Sequence, residues 1–202
     1  SGSRLWPVSR ASYPKQYLSP NAENNLSFLQ ITLKRIDDLK NINNPIIVCN
    51  EEHRFITAEQ IREINIKPNS ILLEPTSKNT APAITCAALQ SISKGEDPIL
   101  LILPSDHIIK KNNIFLESIT KAQISAEQGS IVTFGIKPNK PATGYGYIEA
   151  DKNSREYKKV PYKINKFIEK PNKALAEKLF KDKSYSWNSG IFIAKASVIL
   201  KE

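Results

Sequence analysis

Methionine is absent from all 202 residues, so the chain does not open at a start codon. Its other end, Ala196 to Glu202, stops inside a helical pattern. A segment of a longer protein, truncated at both ends, is the expectation. Cysteine is scarce: Cys49 and Cys86 lie far apart in apolar segments, without metal-ligand spacing. That usage fits a reduced, cytoplasmic chain. Two histidines cannot build a metal cluster. No apolar run approaches the roughly 20 residues of a membrane span, and no signal-peptide pattern precedes the first helix. A membrane partner is therefore not expected. Internal repeats and low-complexity linkers are missing as well.

The charge is unbalanced, with a formal net value of +9. The lysines are spread along the chain, and no arginine-rich cluster with interleaved aromatics occurs. A solvated lysine surface explains this better than nucleic-acid binding, although phosphorylated small molecules also suit such a charge. A hydrophobic content of 40% and a length of 202 residues suffice for one α/β domain with a substantial core.

Apolar runs alternate with helical spacing. Leu26, Leu29, Leu33 and Ile36 recur at helical intervals, Ser27 and Gln30 fit a capping box, and Leu26 with Ile31 fits a hydrophobic staple. Strands are predicted at 45–49, 70–74, 98–103 and 130–136, with helices at 55–64, 80–94 and 114–128 between them. Asn79 or Thr80 is placed to cap the third helix, whose first turn holds Pro82. After residue 137 the rhythm changes. Strands at 145–150, 163–169 and 186–194 accompany a single clear helix at 173–181. The predicted fold is α/β: a Rossmann-like mixed, mainly parallel sheet flanked by helices. Residues 1–137 are expected to form the Rossmann-like core and 138–202 an added mixed-sheet lobe.

Open α/β sheets bind ligands beyond the carboxyl ends of their strands. The unusual residues fall there. The opening Ser-Gly-Ser-Arg run, with Arg10 and Lys15 behind it, is either a basic tail or a phosphate-holding loop, and taken alone it favours the tail. Asp106, after the most apolar strand, suits either a hard metal ligand or a turn and helix-cap aspartate. His107 suits local packing or hydrogen bonding. Glu74, Asn79 and Thr80 suit nucleoside contacts or plain capping. Glu169 and Lys170 suit sugar-side contacts or an exposed ion pair of little energetic value. Gly144 and Gly146 allow close backbone approach or a simple turn. Asn188 can hydrogen-bond a hydroxyl, and its neighbour Trp187 suits a core or wall position.

Taken together, Gly2-Ser3-Arg4-Leu5-Trp6-Pro7, Tyr13-Pro14-Lys15-Gln16, Leu73-Glu74-Pro75, Asn79-Thr80-Ala81-Pro82-Ala83, Leu103-Pro104-Ser105-Asp106-His107, Thr143-Gly144-Tyr145-Gly146-Tyr147-Ile148, Phe167-Ile168-Glu169-Lys170-Pro171 and Trp187-Asn188-Ser189-Gly190 resemble the sugar nucleotidyltransferases. They stand in family order over nearly the whole chain. Trp6, the Asn-Thr-Ala-Pro run and Trp187-Asn188 resemble the mannose-1-phosphate guanylyltransferase branch, a kind often fused to a mannose-6-phosphate isomerase. The family's leading strand and first loop glycines have no counterpart here. Its second metal-binding aspartate would fall beyond Glu202, and Lys78 replaces the usual arginine.

The resemblance implies the nucleotide-diphospho-sugar transferase fold. It also implies a magnesium-dependent reaction of GTP with mannose 1-phosphate, giving GDP-mannose and pyrophosphate. Arg4, Lys15 and Asp106 are the implied catalytic residues, with Asp106 also the metal ligand. Gly2, Ser3, Arg4, Lys15, Glu74, Asn79 and Thr80 are implied at the nucleotide. Gly144, Tyr145, Glu169, Lys170 and Asn188 are implied at the sugar phosphate. A homo-oligomer is compatible with this reading. The competing expectations are a related transferase for another base or sugar, and an inactive sugar-nucleotide-binding fragment.

Overall fold

The computed structural model describes residues 13–20, 25–76, 79–93, 95–151 and 161–202. A short 3-10 turn, Lys15–Tyr17, opens this set and leads to α1, Phe28–Lys34. The capping box read from Ser27 and Gln30 is formed in both directions. The Gln30 N–H donates to Ser27 Oγ at 3.2 Å, and the Ser27 N–H donates to Gln30 Oε1 at 2.8 Å.

Then follow β1 (Ile46–Asn50), α2 (Arg54–Glu63), β2 (Ser70–Glu74), α3 (Thr80–Ile92), β3 (Ile99–Ile102), α4 (Asn112–Glu127) and β4 (Val132–Ile136). Each lies within two residues of the span read from the apolar pattern. The later part holds β5 (Tyr147–Ala150), β6 (Ile164–Ile168), α5 (Lys173–Lys181), β7 (Tyr185–Lys195) and α6 (Ala196–Lys201).

The mixed α/β class is as expected, but the pairing differs from a mainly parallel sheet. Among the described residues one strand pair, β1 with β2, is parallel, and the other four pairs are antiparallel. The reason is β7. It runs antiparallel between β3 and β4, pairing Ile193 with Leu101 on one edge and with Val132 on the other. Strands β3 and β4 share a direction, yet neither bonds to the other. Further along, β7 also pairs β5 through Tyr185, Ser186 and Trp187, and β6 closes that edge. Alternation of apolar residues sets strand position and not strand direction, so β7 carried no warning of this in its sequence.

Two apolar clusters stabilise the layers. In one, Phe115, Ile119, Ala122 and Ala126 repeat down one face of α4 and pack on Val132, Ile191 and Ile193. In the other, Tyr17 joins Leu29 and Leu33 of α1 and Ile61 of α2, with Ile47 and Ile71 of the parallel pair against them. The second cluster fixes the Lys15–Tyr17 turn to the fold.

Candidate functional site

Strand β3 ends at Ile102, and the chain turns through Ser105 and Asp106. Asp106 caps no helix, since the residue at the α4 N-cap is Lys111. Its carboxylate faces Lys15 instead, across 91 positions of sequence. The Lys15 ammonium donates to Asp106 Oδ2 at 3.2 Å and to the Asp106 carbonyl at 3.0 Å. The same ammonium lies 4.9 Å from the centre of the Phe28 ring, within range of a cation–π contact. Both side chains of the pair stay partly open to solvent. An exposed ion pair of this kind contributes little to stability. Its interest lies in what it exposes: a cation and a hard carboxylate together at a strand end.

His107 sits beside them, with Nε2 3.8 Å from Asp106 Oδ1. Its backbone carbonyl accepts from Arg35 Nη2 at 2.7 Å, a contact across 72 positions. Burial holds the imidazole below its ordinary pKa. The Asp106 carboxylate pulls the other way, and Lys15 and Arg35 add to the lowering.

A second group forms around β5 and β7. The Asn188 N–H donates to the Gly146 carbonyl at 2.7 Å. The amide oxygen of Asn188 accepts from the Gly190 N–H at 3.2 Å and lies 2.8 Å from Thr133 Oγ1. That leaves the amide nitrogen as the group Asn188 can offer to a ligand. A Cβ on Gly146 would lie 2.7 Å from Glu169 Oε2 and 2.9 Å from Phe167 Cζ. Only glycine lets the Glu169 carboxylate lie against the backbone here. Lys170 pairs with Glu169 at 3.3 Å and takes a positive φ of 43°. Tyr145 meets the edge of Trp187, with ring centres 4.9 Å apart, and Trp187 Nε1 is buried without a partner. Gly144 lies in the bend that precedes β5.

Strand β7 ties the two groups together. Gly190, at φ 73°, would place a Cβ 3.5 Å from Pro104, two residues before Asp106. Asn188, two positions back, holds Gly146 and through it the Glu169 corner. The two groups therefore flank one stretch of β7.

Glu74 closes β2 opposite Asn50 of β1. Asn79 occupies the α3 N-cap position with φ 69°, and its side chain makes no cap hydrogen bond. The capping role is corrected on that point. At φ 69° and ψ −167° the backbone of Asn79 lies outside the extended conformation in which a capping side chain reaches the helix N–H groups. Asn79 and Thr80 are both exposed. Gly2, Ser3 and Arg4 lie outside the described residues.

Sequence reasoning missed the buried polar residues that bond to one another at the end of the Lys15–Tyr17 turn. Tyr17, Thr57 and Gln60 are all buried. A polar pair at 57 and 60 on the same face of α2 as Ile61 was the available signal.

Residues 1–202 match the nucleotidyl transferase family over their whole length. The chain belongs to that family. A protein from Klebsiella pneumoniae named mannose-1-phosphate guanylyltransferase is 46% identical over all 202 residues, which cover 42% of that relative. Xanthan biosynthesis protein XanB from Xanthomonas campestris pv. campestris is 48% identical, with the same coverage of both chains. The crystal structure of a mannose-6-phosphate isomerase from Helicobacter pylori superposes with a TM-score of 0.82 at 36% identity, over 96% of this chain and 70% of that one. The chain thus spans about two fifths of the curated relatives it matches. No described helix is long and apolar enough to cross a membrane.

Proposed function

We propose that the protein carrying this chain makes GDP-mannose and pyrophosphate from GTP and mannose 1-phosphate. The observation that carries this reading is the Lys15–Asp106 pair at the carboxyl end of β3. The name borne by the relative at 46% identity supports the guanosine and mannose assignments, and that of the xanthan biosynthesis protein at 48% suggests use of the product in polysaccharide biosynthesis.

The reaction brings two polyanions together. An oxygen of the sugar phosphate attacks the α-phosphorus in line, the bond to the β-phosphate oxygen breaks, and pyrophosphate leaves with that electron pair. No protein nucleophile is needed, so catalysis rests on position and charge. Lys15 supplies a cation that already lies on a carboxylate and can follow the phosphates. Arg4 would add a second cation to the departing pyrophosphate. Glu169 offers two acceptor oxygens for neighbouring sugar hydroxyls, with Lys170 beside it for the sugar phosphate. The Asn188 amide nitrogen and the backbone at Gly144 and Gly146 complete that side, with Tyr145 beside them, edge-on to Trp187. Glu74, Asn79 and Thr80 stand at the strand and helix ends where the nucleoside would lie.

Asp106 fits magnesium. Among the described residues no three His, Cys, Asp or Glu side chains cluster to make an all-protein cage. Magnesium is commonly held by one or two carboxylates together with substrate phosphates, and Asp106 already attracts a cation. When bound, the ion supplies charge neutralisation to the triphosphate.

Pyrophosphate release from the intact protein tests the reading. GTP with mannose 1-phosphate is expected to turn over fastest among nucleotide and sugar phosphate pairs. Lys15→Gln is expected to lower the rate roughly a hundredfold, and Asp106→Asn to abolish the response to added magnesium. A preference for glucose 1-phosphate would overturn the mannose assignment.

A further inference from the structure

The Lys15–Tyr17 turn is three residues long and cannot hold its own position. Within it and at its end, the Tyr17 N–H bonds to the Pro14 carbonyl at 3.1 Å and the Leu18 N–H to the Lys15 carbonyl at 3.0 Å. Apart from the bonds of Lys15 to Asp106, the hydrogen bonds that tie it to the rest of the fold run to α1 and α2. The Phe28 N–H donates to the Leu18 carbonyl at 3.0 Å. The Tyr17 hydroxyl lies 2.8 Å from Thr57 Oγ1. Gln60 Nε2 donates to the Tyr17 carbonyl at 3.0 Å.

Gln60 does more than any other member of this set. Its amide oxygen accepts from Ser27 Oγ at 2.7 Å, the same hydroxyl that caps α1. Its backbone carbonyl accepts from Gln30 Nε2 at 2.9 Å, and Gln30 also donates to Glu63 Oε2 at 2.7 Å. One side chain of α2 thus joins the cap of α1 to the turn that bears Lys15. It does so while 8% exposed, beside Ile61 at 2%. Leucine would suit that apolar face without the cost of burying an amide. A satisfied buried amide instead fixes one arrangement of the segments it touches.

We propose that Gln60 is the positioning residue for Lys15, setting the reach of its ammonium to Asp106 and to the reacting phosphates. The inference rests on the reading of Lys15 given above. Gln60 contacts no reacting group. It acts through the Tyr17 carbonyl, two residues from Lys15. Displacing a catalytic group by an ångström can cost up to about a hundredfold in rate.

The test is a double-mutant cycle on pyrophosphate release by the intact protein, with thermal melting alongside. Gln60→Leu is expected to lower kcat about tenfold or more while moving KM for GTP much less. On a Lys15→Gln background the same change is expected to cost less than about twofold, because the group it positions is gone. A purely structural role predicts losses that multiply. Gln60→Glu serves where the leucine variant does not fold. An ionised carboxylate still accepts from Ser27 but has no hydrogen for the Tyr17 carbonyl, so it is expected to lose kcat in the same coupled way. Multiplying losses, or full kcat in a folded Gln60 variant, would overturn the proposal while a slow Lys15→Gln enzyme leaves the role of Lys15 standing. Full turnover by Lys15→Gln would overturn both.

Discussion

Tyr17 and Cys49 share an environment that disfavours their ionised forms. Burial raises the Tyr17 phenol above its ordinary 10.0, against the lowering effect of its hydrogen bond to Thr57. Burial likewise raises the Cys49 thiol above 9.0. Above these values the unfolded chain releases protons that the folded chain keeps. The folded state then binds more protons, and stability falls as pH rises. Denaturant midpoints followed from pH 8 to 11 are expected to hold at first and then drop from about pH 9 upward. In Tyr17→Phe the part of the drop beyond the tyrosine's ordinary value should shrink. At this scale the sequence was informative about residue type and poor on partnership. Asp106 and Lys15 were both legible as candidates, but nothing in either neighbourhood says that they touch across 91 positions. Gln60 was overlooked, since a glutamine on a helix ordinarily reads as solvated and only its spacing from Thr57 and Ile61 placed it on the buried face.

Among the elements, α1 shows how much depends on a local motif. It is seven residues long, below the length at which an isolated helix persists in water. Its cap and its apolar contacts with Tyr17 and Ile61 sustain it. Ser27→Ala removes the cap and leaves the Gln60 amide oxygen without its donor. The expected loss is about 1–3 kcal/mol, more than an exposed cap alone, because a buried acceptor goes unsatisfied. Urea melts compared with Thr32→Ala check this, since the Thr32 hydroxyl is buried without a partner and its removal strands nothing. The helices and strands were mostly legible because caps, prolines and apolar periods are written locally. Strand direction was not, and β7 is where that omission mattered.

For the whole molecule, β7 is the shared member of the larger sheet. Ile193 is 1% exposed and faces the α4 cluster, while its backbone lies between Leu101 and Val132. Ile193→Ala opens a cavity at the point where three strands and a helix meet. It is expected to cost about 2–5 kcal/mol, read from the shift in denaturant midpoint at constant slope. A comparable truncation at Ile136, half exposed at the end of β4, is expected to cost far less.

The place of β7 in the chain also bears on how the protein is made. Strand β3 is complete at Ile102, yet its described partner residue Phe192 comes about 90 residues later. β4 waits for the same strand. At roughly 5–20 residues per second, a growing chain holds the β3 edge open for on the order of 5–20 seconds before β7 is synthesised, and the β4 edge for a shorter time. Through that interval the most apolar strand of the protein is a pairing edge without its mate, the condition under which neighbouring nascent chains pair with one another. Slowing the ribosome between residues 103 and 185 lengthens that exposure, and chaperone dependence should lengthen with it.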